Sequence, residues 1–344
     1  MRKNISLSLL LACKALLILY QMLIGNKTGP LAPHSLLAGA DGESWMYAPL
    51  VQNDAGAQIP TLTPTPTVTA TPTGTPPASE GVLVGAGDIA VCGEPYDEAT
   101  ADLLDGIPGT VFTAGDNAYP SGTLQQFEDC YDPSWGRHKA RTRPSPGNHD
   151  YATEGAAGYF EYFGEAAGDP DKGYYSYDLA LWHIVVLNSN CQRIDSDCAA
   201  GSPQETWLRQ DLAANPRLCT LAYFHHPLFS SGIHGGTDHA ADLWQALYDF
   251  GADVVVSGHD HIYERFAPQD PDGNHDPQNG IRQFIVGTGG RTLYNVGDPA
   301  PNSEVIENET FGVLKLLLHP AAYEWEFIPI AGQTFSDLGV DNCH

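Results

Sequence analysis

The chain has 344 residues, with 16 lysines and arginines against 42 aspartates and glutamates, a formal net charge of −26. So acidic a surface opposes binding to nucleic-acid backbones and to anionic lipid, and we exclude nucleic acid as a partner. An enzyme that acts on anionic substrates would need cations in its site to reverse the local charge. The length is enough for one large domain or two small ones.

The first 80 residues read as an export segment followed by a stalk. Residues 1–24 begin with basic residues and continue into a leucine-rich run, which is typical of a signal peptide or an uncleaved signal anchor. Cleavage after the A-x-A sequence at 38–40 and a lipoprotein-like box ending at Cys13 are competing alternatives. Residues 25–59 are predicted to be unstructured, and the Thr/Pro-rich residues 60–80 to form an extended linker. We therefore expect a secreted or cell-surface protein, with any membrane tether confined to the N-terminal segment.

A folded domain is predicted for residues 81–344. Short apolar runs that end in glycine or in a polar cluster predict buried strands at 82–86, 111–114, 181–188, 218–224, 254–256 and 284–286, with two more within 311–330. Helices are predicted at 97–104, at 240–250, and after the capping box Ser202-Pro203-Gln204-Glu205. Residues 158–178, rich in Gly and Tyr, are expected to form a long surface excursion.

The order of these elements predicts the fold class. Strands and helices alternate in the first part of the domain, and strands dominate the last part. This order favours an α/β fold, a four-layer α-β-β-α sandwich of two mixed sheets flanked by helices.

Seven cysteines bear on the redox compartment. Apart from Cys13 they form an even set, which suggests disulfides in an exported chain and allows 15 pairings. Cys191 and Cys198 close a short loop and are the first choice for a pair. The sequence has no C-x-x-C motif, which argues against a zinc–thiolate site.

Metal-ligating residue types follow five of the predicted strands or loops. The carboxyl edge of an α/β sheet is where sites are usually built, so these side chains are expected to converge. Oxygen and imidazole ligands of this mix suit iron, zinc or manganese. One carboxylate that bridges two cations about 3.5–4 Å apart would make a two-metal site suited to phosphoryl transfer. The residues are Asp88, Asp116 with Tyr119, Asn148, His225, and His259 with His261.

The ordered motifs GD, GDxxY, GNHD, HHP and GHDH, over residues 81 to about 330, resemble those of the calcineurin-like metallophosphoesterases. The segment GHDHIYER is similar to the purple acid phosphatases in particular. Most of the superfamily has D-x-H at the first corner, but here Ala90 stands where that histidine ligand would be. In purple acid phosphatases a tyrosine three residues after the bridging aspartate takes its place, and Tyr119 has that spacing from Asp116.

The resemblance implies a role for each of these residues. A first metal, expected to be Fe(III) because phenolate is a hard anionic ligand, would be bound by one set, and a divalent Fe, Zn or Mn ion by another. Asp116 would bridge the two ions. The first set is Asp88, Tyr119 and His261, and the second is Asn148, His225 and His259.

Two further histidines are candidate catalytic residues by the same resemblance. His149, beside Asn148, would contact the phosphate or the leaving oxygen, and His234 is a candidate general acid. His226 is not expected to be a ligand, because the family pattern is ligand-x-Pro. The basic stretch 137–143 is expected to pair locally with the acidic surface.

The resemblance thus implies an exported phosphatase that hydrolyses phosphate monoesters by metal-hydroxide attack. A phosphodiesterase or nucleotidase on the same metal core is the alternative within this class. A binding module that keeps the fold without catalysis is the alternative from another class. Residues 25–80 are too short and too rich in Pro to supply the N-terminal β-domain of the plant relatives.

Overall fold

The computed structural model describes residues 79–194 and 197–344. The predicted export segment, the unstructured segment and all but the last two residues of the linker lie outside the described residues. Within the described ranges, no helix combines the length and the apolar character that crossing a membrane requires.

Within the described residues, thirteen strands form two sheets. Five of them are buried along their whole length, at Gly81–Ala86, Trp182–Val186, Thr220–Tyr223, Val254–Ser257 and Arg282–Val286, where the sequence has apolar runs. In chain order they are β1 (Gly81–Ala86), β2 (Thr110–Ala114), β3 (Thr142–Ser145), β4 (Tyr175–Leu179), β5 (Trp182–Val186), β6 (Thr220–Tyr223), β7 (Val254–Ser257), β8 (Tyr263–Phe266), β9 (Arg282–Val286), β10 (Ser303–Glu307), β11 (Gly312–Leu318), β12 (Ala322–Pro329) and β13 (Leu338–Asn342).

Both sheets are mixed. The first has the order β13-β12-β11-β1-β2-β3, with β1, β2 and β3 parallel and the other pairs antiparallel. The second has the order β10-β8-β9-β7-β6-β5-β4, with a parallel centre of β5, β6, β7 and β9. Parallel neighbours end at a common edge, so β1, β2 and β3 deliver their following loops together, as do β6 and β7.

Helices flank the sheets. They are α1 (Tyr96–Asp105), α2 (Leu124–Gln126), α3 (Ala157–Phe163), α4 (Pro203–Ala214) and α5 (Ala241–Asp249). Short 3-10 or π turns lie at Phe127–Tyr131, Trp135–Arg141, Asp150–Ala152, Glu154–Ala156, Gly164–Ala167, Cys191–Arg193 and Asp238–Ala240.

The largest apolar cluster lies between the sheets. It joins side chains of the first sheet, such as Leu83 and Leu314, to side chains of the second, such as Ile184 and Phe284. A second cluster packs α4 and α5 against the outer face of the second sheet, with Trp244 fully buried. The predicted sandwich of two mixed sheets with flanking helices is therefore confirmed.

The prediction for residues 158–178 was wrong in its first part. Residues 157–163 form α3, and the aromatic side chains Tyr159, Phe160, Tyr162 and Phe163 are buried in the main core. Only β4 and the turns before it resemble the expected surface segment. The aromatic residues of AGYFEYF follow helical spacing, but the run is short and flanked by glycines, which concealed it.

The capping box at the start of α4 forms only in part. The Ser202 hydroxyl accepts a hydrogen bond from the Glu205 backbone N–H, and Pro203 occupies the first turn, as predicted. The Glu205 carboxylate instead accepts from the Gly201 backbone N–H and pairs with Arg209. The helix start is therefore as predicted, although the reciprocal bond is replaced by an ion pair.

Six cysteines form three disulfides: Cys92–Cys130, Cys191–Cys198 and Cys219–Cys343. The predicted Cys191–Cys198 pair is confirmed. The Cys219–Cys343 bond spans 124 residues and fixes the C-terminal end of the chain beside β6. The basic stretch 137–143 also pairs locally, since Arg137 contacts Glu98, Asp102 and Asp105.

Candidate metal centre

The predicted ligands follow five strands of the two sheets. Asp88, Asp116 and Asn148 lie in the loops after β1, β2 and β3, at one edge of the first sheet. His225 follows β6, and the pair His259 and His261 follows β7, at an edge of the second sheet. The two edges face each other, and the structure brings all seven predicted ligands into one cluster.

The cluster has two parts, and Tyr119 lies at the centre of the first group, which it forms with Asp88 and His261. Its hydroxyl oxygen is 2.8 Å from Asp88 Oδ1, 3.0 Å from Asp116 Oδ2 and 3.2 Å from His261 Nε2. His261 Nε2 is itself 3.3 Å from Asp88 Oδ1. The phenol therefore lies among the residues that the resemblance assigns to the first metal, and its role as a ligand stays a prediction.

The second group gathers around His225. Its Nε2 is 3.0 Å from Asn148 Oδ1, 3.3 Å from His259 Nδ1 and 3.3 Å from Asp116 Oδ2. Asp116 Oδ2 thus contacts a member of each group, the Tyr119 hydroxyl on one side and the His225 ring on the other. This is the position that a bridging carboxylate requires.

Backbone carbonyls fix the orientation of two of the imidazoles. His225 Nδ1 lies 2.9 Å from the Ala114 oxygen, and His261 Nδ1 lies 2.7 Å from the Thr292 oxygen. Because a carbonyl oxygen only accepts hydrogen bonds, each Nδ1 carries the proton. The Nε2 atoms of both rings are then directed into the cluster, in the arrangement that metal-binding histidines usually have.

Three of the predicted ligands hold an unfavourable backbone conformation. Asp88, Asp116 and His259 have φ values of 60°, 50° and 71°. The left-handed region is costly for residues other than glycine, and such strain concentrates at functional sites. The Asp88 N–H donates to the Gly115 oxygen, and the His259 N–H donates to Asp88 Oδ2, which ties these corners to one another.

Glycines at two corners let the loops approach closely. A side chain on Gly147 would lie 2.1 Å from Asp116 Oδ1 and 2.2 Å from the Asp116 backbone nitrogen. One on Gly115 would lie 2.5 Å from His225 Nδ1. The Gly residues of the GNHD and GDxxY motifs therefore let Asp116 and His225 come close to the neighbouring loops.

The oxygen donors Asp88, Asp116 and Tyr119 are almost closed to solvent, whereas Asn148 and His259 are half-buried. Asp88 is 0% exposed, Asp116 1% and Tyr119 3%. Burial raises the pKa of Asp116, but the charge of His225 and its hydrogen bond outweigh this and leave the pKa well below its usual value. Burial lowers the pKa of His225, and Asp116 reverses the effect and raises it to about 9. Burial and the charge of His225 lower the pKa of His259 to about 3.

Tyr119 behaves as a neutral phenol in this environment. Burial raises its pKa well above the ordinary value, and the charges of Asp116 and Asp88 add to the effect. A bound cation would act in the opposite sense, since it favours the deprotonated form of an acidic ligand.

The donor set fits a pair of cations. Two carboxylates are buried here, and in the part of the chain that the structure describes their ion-pair partners are histidines rather than Lys or Arg. Buried carboxylates are costly unless they are paired or coordinate a metal. Oxygen atoms of Asp88 and Asp116 and a ring nitrogen of His225 lie within 4.8 Å of one another, close enough to share an ion.

The two candidate catalytic histidines lie at the rim of the cluster. The His149 side chain is 40% exposed, its ring centroid is 4.5 Å from that of Tyr119, and its backbone N–H donates to Asp116 Oδ1. The exposed His234 ring lies 4.7 Å from the His259 ring. Both predicted residues are therefore brought to the solvent side of the site.

His226, which was not expected to be a ligand, lies close to the second group. A ring nitrogen of His226 lies within 4.8 Å of nitrogens of His225 and His259. Its Nδ1 is 2.8 Å from the Ser189 hydroxyl, and burial lowers its pKa well below the ordinary value. The prediction that His226 does not bind metal stays a prediction.

Sequence reasoning missed the residues that hold the loops. Asp150 accepts hydrogen bonds from the Asn117 backbone and side chain and from the Gly147 N–H, and burial and the charge of Asp116 raise its pKa to about 6. Asp260, between the two GHDH histidines, accepts from the His234 N–H. A buried aspartate inside each motif was the available signal, since loops need acceptors for their N–H groups.

Tyr294 was missed for a different reason. Its ring stacks on His261 with the centroids 3.9 Å apart, yet it comes 33 positions later in the chain. Nothing in the local sequence connects the two residues, because the contact depends on how β9 packs beside β8.

A family comparison agrees with this geometry. The family model of the calcineurin-like phosphoesterases matches residues 82–263, which is more than half of the chain and contains every predicted ligand. The fold and the facing strand ends define a protein of the metallophosphoesterase class. The chain belongs to the calcineurin-like phosphoesterase family.

Individual relatives point toward one branch of that family. Purple acid phosphatase 18 of Arabidopsis thaliana is 31% identical over 157 residues, 43% of this chain and 34% of the relative. Probable inactive purple acid phosphatase 1 of the same plant is 25% identical over 264 residues, 63% of this chain and 40% of the relative. The aligned regions thus span about a third to two fifths of these relatives.

A solved structure supports the fold assignment. A purple acid phosphatase from yellow lupin seeds aligns with a TM-score of 0.61 at 19% sequence identity, over 76% of this chain and 53% of that one. At this level of identity the likeness concerns the fold, and the activity has to be argued from the site.

Proposed function

We propose that this protein is an exported binuclear-metal phosphatase that hydrolyses phosphate monoesters, of the purple acid phosphatase type. The observation that carries the proposal is the position of the Tyr119 hydroxyl, within 3.2 Å of Asp88, Asp116 and His261. Ala90 offers no ligand atom, so the phenol completes a set that would otherwise be one donor short.

In this proposal each group of the cluster binds one ion. Asp88, Tyr119 and His261 would hold Fe(III), and Asn148, His225 and His259 would hold a divalent Fe, Zn or Mn ion, with Asp116 shared by the two groups. When bound, the two ions would activate a water molecule at moderate pH and neutralise charge on the phosphate. They would also give an acidic protein the local positive charge that an anionic substrate needs.

The rim histidines act on the substrate. His149 Nδ1 faces the Pro120 carbonyl at 2.7 Å and therefore carries a proton, so Nε2 donates a hydrogen bond to phosphate only when the ring is an imidazolium. His234 is held at the rim by Asp260 and is exposed, so it can reach the leaving oxygen and supply its proton. Both assignments rest on position.

Export is supported by the cysteines. Three disulfides are typical of chains that fold in an oxidising compartment. Together with the apolar segment at residues 1–24, they favour a secreted or cell-surface protein with any tether at the N-terminus.

Two alternatives remain distinct from this proposal. A phosphodiesterase or nucleotidase could use the same cluster, because metal ligands alone do not choose between esters. A binding module without catalysis is suggested by the probable inactive relative in Arabidopsis. The convergence of all seven predicted ligands weighs against it.

Hydrolysis of model esters tests the proposal. The metal-loaded protein is expected to hydrolyse an aryl phosphate monoester with a kcat/KM at least about tenfold higher than that for the matching diester, and to lose both activities after chelation. A protein that prefers the diester would support the first alternative. A protein that holds two ions per chain and hydrolyses neither ester would refute the proposal and support the second.

A further inference from the structure

Arg291 is a cation beside the cluster that the predicted mechanism does not use. Its guanidinium carbon lies 5.3 Å from the centroid of the Tyr119 ring, and the side chain is partly exposed. Among the described residues its ionic contact is this ring, whereas Arg137, Arg209 and Arg265 each pair with carboxylates. Arg291 is therefore a positive charge beside the cluster that no carboxylate of the described residues neutralises through an ion pair.

The backbone around Arg291 is tied to the metal ligands. The Arg291 N–H donates to the Asp88 oxygen at 2.9 Å, and the Gly289 N–H donates to the Gly87 oxygen at 2.9 Å. The next carbonyl, of Thr292, receives the Nδ1 proton of His261. The turn that carries Arg291 is therefore fixed to both Asp88 and His261, so the guanidinium is placed by the same loops as the cluster.

Arg291 and His149 flank the same ring. The His149 ring centroid is 4.5 Å from that of Tyr119, and Arg291 lies over that ring. Tyr119 itself is 3% exposed, whereas His149 and Arg291 are both partly exposed, so these two side chains lie on the solvent side of the ring. A phosphate that reaches the cluster from solvent would meet them first.

We propose, on the basis of the function proposed above, that Arg291 is a substrate-positioning residue that binds a terminal oxygen of the phosphate. A guanidinium presents its donors as a planar fork that matches phosphate oxygens, and the charge strengthens each hydrogen bond. A monoester has three terminal oxygens and a diester has two. A residue that binds the third terminal oxygen, which the diester lacks, therefore favours the monoester, and this contact makes Arg291 a determinant of the substrate class.

Equilibrium binding of inorganic phosphate to the metal-loaded protein tests this role without turnover. Arg291→Gln is expected to weaken phosphate binding by about 10- to 100-fold, the effect of losing a hydrogen bond between charged groups. Arg291→Lys is expected to have a phosphate affinity between those of wild type and Arg291→Gln, because lysine keeps the charge but lacks the planar fork of donors. Arg143→Gln is the matched control, since Arg143 also lies over a tyrosine, Tyr177, but on β3.

Turnover supplies a second readout. With equal metal content, Arg291→Gln should raise KM for the monoester more than it lowers kcat, and should narrow the ratio of monoester to diester kcat/KM. Unchanged phosphate affinity in Arg291→Gln would overturn the inference. Loss of metal from that variant would also overturn it, because the role would then be to hold the cluster.

The two proposals fail differently. If the wild-type protein hydrolyses monoesters and Arg291→Gln binds phosphate as tightly as wild type, only the assignment of Arg291 is wrong. If the metal-loaded wild-type protein neither binds phosphate nor hydrolyses esters, the proposed function fails, and the inference about Arg291 fails with it.

Discussion

Asp116→Asn is expected to lose most of the second metal and to lower activity by more than about 100-fold. Removing a residue that only hydrogen-bonds to a metal ligand costs up to about 100-fold, and losing a ligand itself should cost more. Asp116 Oδ2 stands between Tyr119 at 3.0 Å and His225 at 3.3 Å. A neutral amide has the same shape but offers two cations one oxygen and no charge. Metal analysis of the purified variant, with its kcat/KM for a monoester, measures the effect.

Asp116→Asn also places a neutral amide at a buried position, and a second variant is needed to measure that effect alone. Asp253 is also a buried aspartate; it accepts hydrogen bonds from the Thr220 and His344 backbone N–H groups. Asp253→Asn is expected to keep both metals, whatever it does to stability. Full metal occupancy and wild-type turnover in Asp116→Asn would show that Asp116 is not a bridge.

Gly147→Ala is expected to reduce activity about 100-fold while the fold persists, since a displacement of about 1 Å at reacting groups has that effect. The added methyl group would lie 2.1 Å from Asp116 Oδ1 and 2.2 Å from the Asp116 nitrogen, so the Asp116 carboxylate or the Asn148 loop must move. Steady-state kinetics and metal content, beside a thermal melt, separate the local effect from unfolding.

A glycine with room around it serves as the control. Gly106 ends α1 with a φ of −89°, and a side chain there would meet only the Leu103 oxygen, at 3.7 Å. Gly106→Ala should therefore leave both metals and kcat/KM unchanged. Equal activity in Gly147→Ala and wild type would show that the loop after β3 accommodates the methyl group without displacing Asp116.

The sequence predicted the position of residues that directly follow a recognisable strand. Each predicted ligand follows a short buried run, and parallel strands place the residues that follow them at one edge, so Asp88, Asp116 and Asn148 could be brought together in advance. His225 and His259 follow neighbouring parallel strands of the second sheet, and the same reasoning applies. The order of the motifs along the chain, through its resemblance to the calcineurin-like metallophosphoesterases, then indicated that both sheet edges contribute to one site.

Other features depend on packing that one sequence does not reveal. Arg291 and Tyr294 lie in an irregular turn after β9, and their approach to Tyr119 and His261 is set by the pairing of β9 with β7 and β8. The helix α3 was mistaken for surface because its buried face is aromatic and its flanks are glycine. In each case tertiary contacts, which the local sequence pattern does not reveal, determine where these side chains lie.

The central claim is that Tyr119 is a metal ligand, and a visible absorption spectrum of the iron-loaded protein tests it most directly. Phenolate bound to Fe(III) gives a charge-transfer band in the visible range, whereas imidazole and carboxylate ligands do not. We expect a pink to purple protein, and we expect Tyr119→Phe to lose the band while the ring still packs and the fold persists. A colourless iron-loaded protein, or an unchanged band in Tyr119→Phe, would contradict the account.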